Sequence, residues 1–209
     1  MTRKYVRVDA FVKRIEGRIV VLEPLAAWHE EPLWEAARAD ASVWDLMWVR
    51  GGDNPELFAS WWGRTRAEQA AGAYAPFAQV VGGVPLGSTG YLNFRKHDRS
   101  VEIGNTWLTS SAWDSGANAE AKYLLLRHAF EELGLLRVEF KTDEKNERAR
   151  RALAALPSEF EGVHRKHMVV RDGERRDSAW YSVIDDDWPA VRAALEERIE
   201  RKLAERRDR

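Results

Sequence analysis

Hydrophobic and polar positions change period several times along this chain. "GRIVVLEPL" (17–25) is a mostly apolar run ending at Pro24 and predicts a strand. "LAAWHEEPLWEAARAD" (25–40) has helical spacing through Leu25, Trp28 and Trp34, with Pro32 close to its start. The polar and aromatic stretch "DASVWDLMWVRGGDNP" then leads to a second helix, "ELFASWWGRTRAEQAAG". From residue 75 the period is that of strands. "APFAQVV" and "VPLGSTGYLNF" flank Gly82-Gly83 and predict a hairpin, and "SVEIGNTWLT" (100–109) a third strand. A helix over 119–133 ends at Gly134, a suitable C-terminal cap. "LLRVEFKTD" (135–143) leaves that helix, so it predicts a strand parallel to 100–109 through a right-handed crossover. "NERARRALAAL" (146–156) reads as a short helix stopped by Pro157, and residues 161–184 as a closing hairpin turning at Asp172-Gly173. Asp185-Asp186-Asp187 then place carboxylates ahead of a helix beginning at Trp188-Pro189, where its dipole favours them. Val191, Leu195, Ile199 and Leu203 form a narrow stripe on that otherwise charged helix. The expected organisation is a single α/β (α+β) domain over 1–187, with the charged helix 188–209 appended.

Composition narrows the function. The 209 residues suffice for a substantial core. The absence of cysteine excludes disulfides, thiolate metal sites and cysteine acyl-enzymes, and a reducing cytoplasm is the economical location. A formal net charge of -1 gives no electrostatic case for nucleic acid or an anionic membrane. "MTRKYVRVDAFVKR" lacks the apolar core of a signal peptide, and no apolar run approaches the ~18 residues that cross a bilayer. His164 and His167, three apart on a strand, face opposite sides and cannot share a metal, so no metal is expected. Small partners remain.

Two stretches carry candidate chemistry, each with two readings. Trp44 and Trp48 lie between helices, as core or as the aromatic lining of a ligand mouth. Asp40 and Asp45 nearby offer negative charge to a cationic amine, although capping explains Asp40 equally. "AWDSGANAEAK" (112–122) runs from small and polar residues into a helix, as a plain turn or as a phosphate seat. The first N–H groups of a helix lack partners, and small residues let an anion approach them.

In "EIGNTWLTSSAWDSGANAE" (102–120), the ordered set Glu102-Ile103-Gly104, Trp107-Leu108, Trp113, Gly116 and Glu120-Ala121 resembles the Gcn5-related N-acetyltransferase (GNAT) superfamily. Its likeness is to the RimJ/RimL branch of ribosomal-protein alanine acetyltransferases. "RVEFKTDEKNERARRAL" and the closing hairpin resemble the same branch, so the likeness spans roughly 17–190. It implies a GNAT fold: a mixed, mostly antiparallel sheet of six to seven strands, flanked by helices, with a splayed parallel pair in its middle. It also implies acetyl-CoA as co-substrate, an amine acceptor (peptide N-terminus or small molecule), and no metal. A homodimer through the sheet edge or the closing strands suits such a fold. Trp113 and Asn118 depart from the superfamily's usual Gln/Arg-x-x-Gly-x-Gly/Ala loop, Ala149 replaces a common Ser, and Leu156-Pro157 a common Leu-Gly.

The resemblance assigns Trp113, Asp114, Ser115, Gly116, Ala117, Asn118 and Ala119 to the coenzyme pyrophosphate. The extra polar residues of "GNTWL" predict a bulge that turns backbone N–H groups into the gap, and on the resemblance Asn105, Trp107, Leu108 and Thr109 there serve the thioester and pantetheine. Asn146 would bond the pantetheine arm. Arg150, like Arg148, would reach phosphate or simply stay solvated, and Lys122 would add a charge or do the same. Asp40, Trp44 and Trp48 would form the acceptor wall. Glu102 is the expected base, acting through water, or else a charge on a solvated strand face. A lysine-like amine needs about 4–5 kcal/mol to expose its lone pair at pH 7, an N-terminal α-amine only ~1 kcal/mol. With no tyrosine at the family's usual acid position after Asn146, the thiolate would leave with a solvent proton. The competing reading is an acyl-CoA-binding module that keeps the fold without turnover.

Overall fold

The computed structural model describes residues 11–52 and 54–207. The N-terminal segment read for a signal peptide lies largely outside them, as do the last two residues of the terminal helix. Eight strands form one mixed sheet: β1 Ile15–Glu16, β2 Val21–Pro24, β3 Tyr74–Val81, β4 Val84–Arg95, β5 Ser100–Leu108, β6 Arg137–Asp143, β7 Glu159–Val170 and β8 Glu174–Ile184. Their order is β1-β2-β3-β4-β5-β6-β8-β7, antiparallel throughout except for β5 beside β6. The helices are α1 Glu30–Arg38, α2 Pro55–Ala70, α3 Ala117–Arg127, α4 Glu147–Ala154 and α5 Trp188–Arg207. This is the mixed sheet with a central parallel pair that the sequence implied. The strand count exceeds seven because two-residue β1 folds back on β2.

That fold-back explains why the run 17–25 is not one strand. The Glu120 carboxylate, buried on α3, accepts the N–H groups of Arg18 (2.9 Å), Ile19 (2.6 Å) and Val20 (2.8 Å). A Cβ on Gly17 would overlap that carboxylate. Three main-chain donors, two of them on buried residues, are satisfied by one charge. At the next hairpin, Gly82 and Gly83 take φ of 59° and 84°, the left-handed pair that matches the twist of tightly linked strands.

Strand alternation divides the core between two faces. Phe77, Val101, Ile103, Val138, Phe140, Tyr181 and Val183 pack with α3 and α5, whose stripe Val191, Leu195 and Ile199 is buried. Ala78, Val80 and Trp107 pack with α1, α2 and the tryptophans between them. Ile103 and Trp107 are four apart, yet they face opposite sides. An extra residue in β5 causes this: Ser88 pairs with Trp107 and Gly90 with Gly104, and Asn105 adopts a φ of 51°. The bulge expected in "GNTWL" is present.

Candidate active site

β5 and β6 pair only through Ser100–Arg137, Val101–Val138 and Glu102–Glu139. Beyond that they part, and the backbone groups of β5 that point away from β4 have no strand beside them. The gap opens a cleft of about 480 Å³ that passes from the N-terminus of α3 to Glu102. The bulge sits midway along it, where Asn105, Thr106, Trp107 and Leu108 line the wall. The Trp107 indole itself turns into the core against Trp44 and Trp61, so its contribution to the cleft is main chain. Asn105 is fixed by Trp48, whose Nε1 donates to Asn105 Oδ1 at 2.8 Å.

At the α3 end, Gly116 is the helix N-cap with φ 91°. The N–H groups of Ala117, Asn118 and Ala119 precede the first donor bonded within the helix, since Glu120 N–H is the first to bond back, to Gly116 O. Ser115 Oγ already accepts from Ala117 N–H at 3.2 Å, so Asn118 and Ala119 are left to face the cleft. The Asn118 Oδ1 atom is buried there without a partner. Turning that amide over would present its NH2 to an anion. Ser115 and Ala117 shape the turn and do not line the cleft; Asp114 does. Thr109 is buried, with its N–H spent on Leu86 O, and does not reach the cleft. Gly116 is bare for a reason other than anion approach: a Cβ would meet Ile19 Cδ1 at 2.8 Å and Lys202 Cβ at 3.0 Å.

The cations arrive from elsewhere. Trp113, in the place of a Gln or Arg, donates Nε1–H to Leu108 O at 2.8 Å and carries the Arg148 guanidinium 3.7 Å over its ring. Burial lowers the Arg148 pKa, with Asp40 attracting its charge. Arg198 and Lys202 of α5 line the same end, so the charged helix is part of the cleft wall. Arg150, by contrast, bonds Tyr181 Oη and Glu144 O, each at 3.3 Å, and does not line the cleft. Asn146 caps α4 by accepting Ala149 N–H at 3.0 Å, and it lines the cleft.

At the opposite end lies Glu102, 2% exposed, which removes the solvated-face reading. Its Oε2 accepts from Lys141 Nζ at 2.9 Å and Asn93 Nδ2 at 2.7 Å. A Cβ on Gly104 would lie 3.0 Å from Oε1, so the glycine keeps that oxygen clear. Trp48 lines this end under Arg64, whose guanidinium lies 4.7 Å over its ring. Trp44 does not: it is 2% exposed and locked between Trp61 and Trp107. Asp40 is not in the wall either. It caps a single turn through Ser42 N–H, and hydrogen bonds from Ser110 and Ser42 hold its carboxyl below the usual range. Asp45 is exposed and outside the cleft. His164 and His167 fall on one side of β7, with rings 5.8 Å apart against Trp180, because a bulge between His164 and Met168 breaks the alternation. Among the described residues no group of three or more potential metal ligands forms.

Lys122 is not a solvated lysine. It is 6% exposed, lines the cleft, and donates to Thr89 Oγ1 at 3.0 Å and Thr106 Oγ1 at 2.5 Å, beside the bulge. Desolvation with no carboxylate to compensate lowers its pKa to about 7.

No curated protein sequence matches the chain. The family model described as "Acetyltransferase (GNAT) domain" matches residues 20–156. The fold is similar to a GCN5-related N-acetyltransferase from Brucella melitensis (TM-score 0.84, 28% identity, covering 94% of this chain and 90% of that one). It is also similar to a T. thermophilus protein described as an acetyltransferase (TM-score 0.82, 38% identity, covering 90% and 97%). Mycobacterium smegmatis RimJ, solved with CoA-disulfide, shares the fold at 22% identity and TM-score 0.76, covering 90% and 95%. With the family matched over most of its length and the splayed strand pair in place, this chain belongs to the GNAT family and is an N-acetyltransferase.

Proposed function

We propose that this protein transfers acetyl directly from acetyl-CoA to a primary amine, a peptide N-terminus or a small molecule, as a RimJ/RimL-like enzyme. The observation that carries the reading is the opening of β5 from β6 beyond Glu102, which joins a helix N-terminus to a buried carboxylate through one cleft. The residues fit the coenzyme. Asn118 and Ala119 offer main-chain N–H groups, the orphaned Asn118 amide needs a partner, and Arg148, Arg198 and Lys202 supply positive charge at the same end. Asn146 borders the path between the strands. The coenzyme contributes an acetyl thioester; the chain contributes everything else.

At the bulge the ladder from β5 to β4 is interrupted, and a main-chain N–H released there is the kind of fixed donor from which a polarised carbonyl oxygen gains most. Glu102 receives the acceptor's proton through water, with Oε1 uncovered and Oε2 held by Lys141. Lys122 holds a proton at Nζ beside the bulge, with a pKa near working pH, and it fills the role of acid that no tyrosine takes.

The test is to incubate the protein with acetyl-CoA, a panel of amines and a thiol reagent, with calorimetry of coenzyme binding alongside. Thiol release coupled to an acetylated amine supports the proposal. Coenzyme binding with no release on any amine would make it a binding module.

A further inference from the structure

Arg176, on β8, is 7% exposed and lines the acceptor end of the cleft. It shares a sheet face with Ser178 and Trp180, the cross-strand partners of Asp143 and Lys141. Its Nε–H is buried and finds no acceptor among the described residues. Two carboxylates attract its charge, Asp143 and Glu102, but no ion pair to either forms, and one oxygen of each already accepts another donor. Asp143 Oδ1 accepts from Lys145 N–H at 3.0 Å, and Glu102 Oε2 accepts from Lys141 and Asn93. The other cations at this end are matched: Lys141 with Glu102 at 2.9 Å, Arg64 with Glu68 at 3.5 Å, Arg171 with Glu174 at 2.9 Å. A guanidinium taken out of water loses far more than it recovers unless an anion meets it.

Resting on the acetyltransferase reading, we propose that Arg176 is the counter-ion for a carboxylate carried by the acceptor. The substrate class is then primary amines that bear a carboxylate. A planar fork with a free N–H suits a carboxylate's two oxygens better than any other common group. Lys141 neutralises Glu102, so an entering carboxylate is not repelled from the end where its amine must react. Met168, paired opposite Arg176, and Trp48 give apolar walls on either side of the polar floor.

The carboxylate can belong to a free amino acid or to an acidic residue of a peptide, and matched pairs separate the two. Thiol release is measured with amino acids against their carboxamides, and with peptides carrying Glu against the same peptides carrying Gln. The acid member of at least one pair is expected to have a kcat/KM tenfold or more above its amide. That ratio is expected to fall toward one in Arg176→Met and only partly in Arg176→Lys, which keeps the charge without the fork. Equal rates within both pairs, or a preference that survives Arg176→Met, would overturn the assignment. If Arg176→Met does not fold, the Arg176→Lys ratio alone decides. Should no amine release thiol although the coenzyme binds, the transfer reading fails. Calorimetry of the acid and amide members on coenzyme-loaded protein then judges Arg176 separately: selective binding of the acid upholds it, and equal or absent binding removes it.

Discussion

Replacing Lys122 by methionine removes a buried amine while keeping its length. In the folded chain, desolvation lowers the pKa from 10.5 to about 7. The unfolded chain keeps the ordinary value, so between about 7 and 10.5 it holds a proton that the folded state has shed. Stability therefore rises as pH rises through that window, by about 1.4 kcal/mol per pH unit. The whole penalty, roughly 5 kcal/mol over about 3.5 pH units, is present below pH 7 and gone above 10.5. Methionine carries none of it. The substitution loses two hydrogen bonds of about 1 kcal/mol each, but Thr89 and Thr106 still bond each other at 2.8 Å. The variant should thus be more stable than the parent by about 3 kcal/mol near pH 7, with the gap closing at pH ~9 and reversing above it by the roughly 2 kcal/mol of the lost hydrogen bonds. Urea denaturation of both proteins across that range measures it, because other titrating groups cancel in the difference. A difference independent of pH, or a parent more stable than the variant at pH 7, would refute the reasoning. A chain that keeps so costly a lysine beside its cleft gives up stability for function.

Three further outcomes are expected. Glu120→Ala strands the N–H groups of Ile19 and Val20 and frees that of Arg18, and should cost about 3–5 kcal/mol in denaturant titrations; a loss under ~1 kcal/mol would show the clamp to be dispensable. Arg198→Ala with Lys202→Ala should raise the coenzyme A dissociation constant tenfold or more, about 1.4 kcal/mol, by calorimetry; unchanged affinity would return α5 to a purely structural role. Glu102→Gln should slow transfer most at low pH, where an amine most needs its proton removed, and leave coenzyme affinity intact; superimposable pH–rate profiles for mutant and parent would remove Glu102 from the chemistry.

Much of the scaffold was legible because its signals are local. Gly82-Gly83 marks a turn by backbone freedom alone, and the stripe Val191, Leu195, Ile199 needs no partner to be recognised. The polar residues of "GNTWL" betrayed the bulge, since a buried strand carries such residues only where its ladder is interrupted. What the sequence hid depends on distant residues. Trp44 and Trp48 have the same local setting, yet one fills the core and the other lines the cleft, decided by Trp61 and Asn105. Lys122 looked like any helical lysine until the two threonines of β4 and β5 enclosed it. Arg148 and Arg150 are two apart on one helix; only the first finds the Trp113 ring, so the loop's unusual tryptophan is legible only together with its arginine. The histidines misled because period-two alternation fails at a bulge, here with Lys166 at φ 50°.

The central claim is that one cleft between β5 and β6 seats acetyl-CoA with its thioester at the bulge. A crystal structure of the coenzyme A complex tests it most directly. The account predicts phosphates on the Asn118 and Ala119 N–H groups, ringed by Arg148, Arg198 and Lys202, with the thiol beside Asn105–Leu108 on the way to Glu102. Coenzyme bound on another surface, or β5 and β6 paired along their full length, would contradict it.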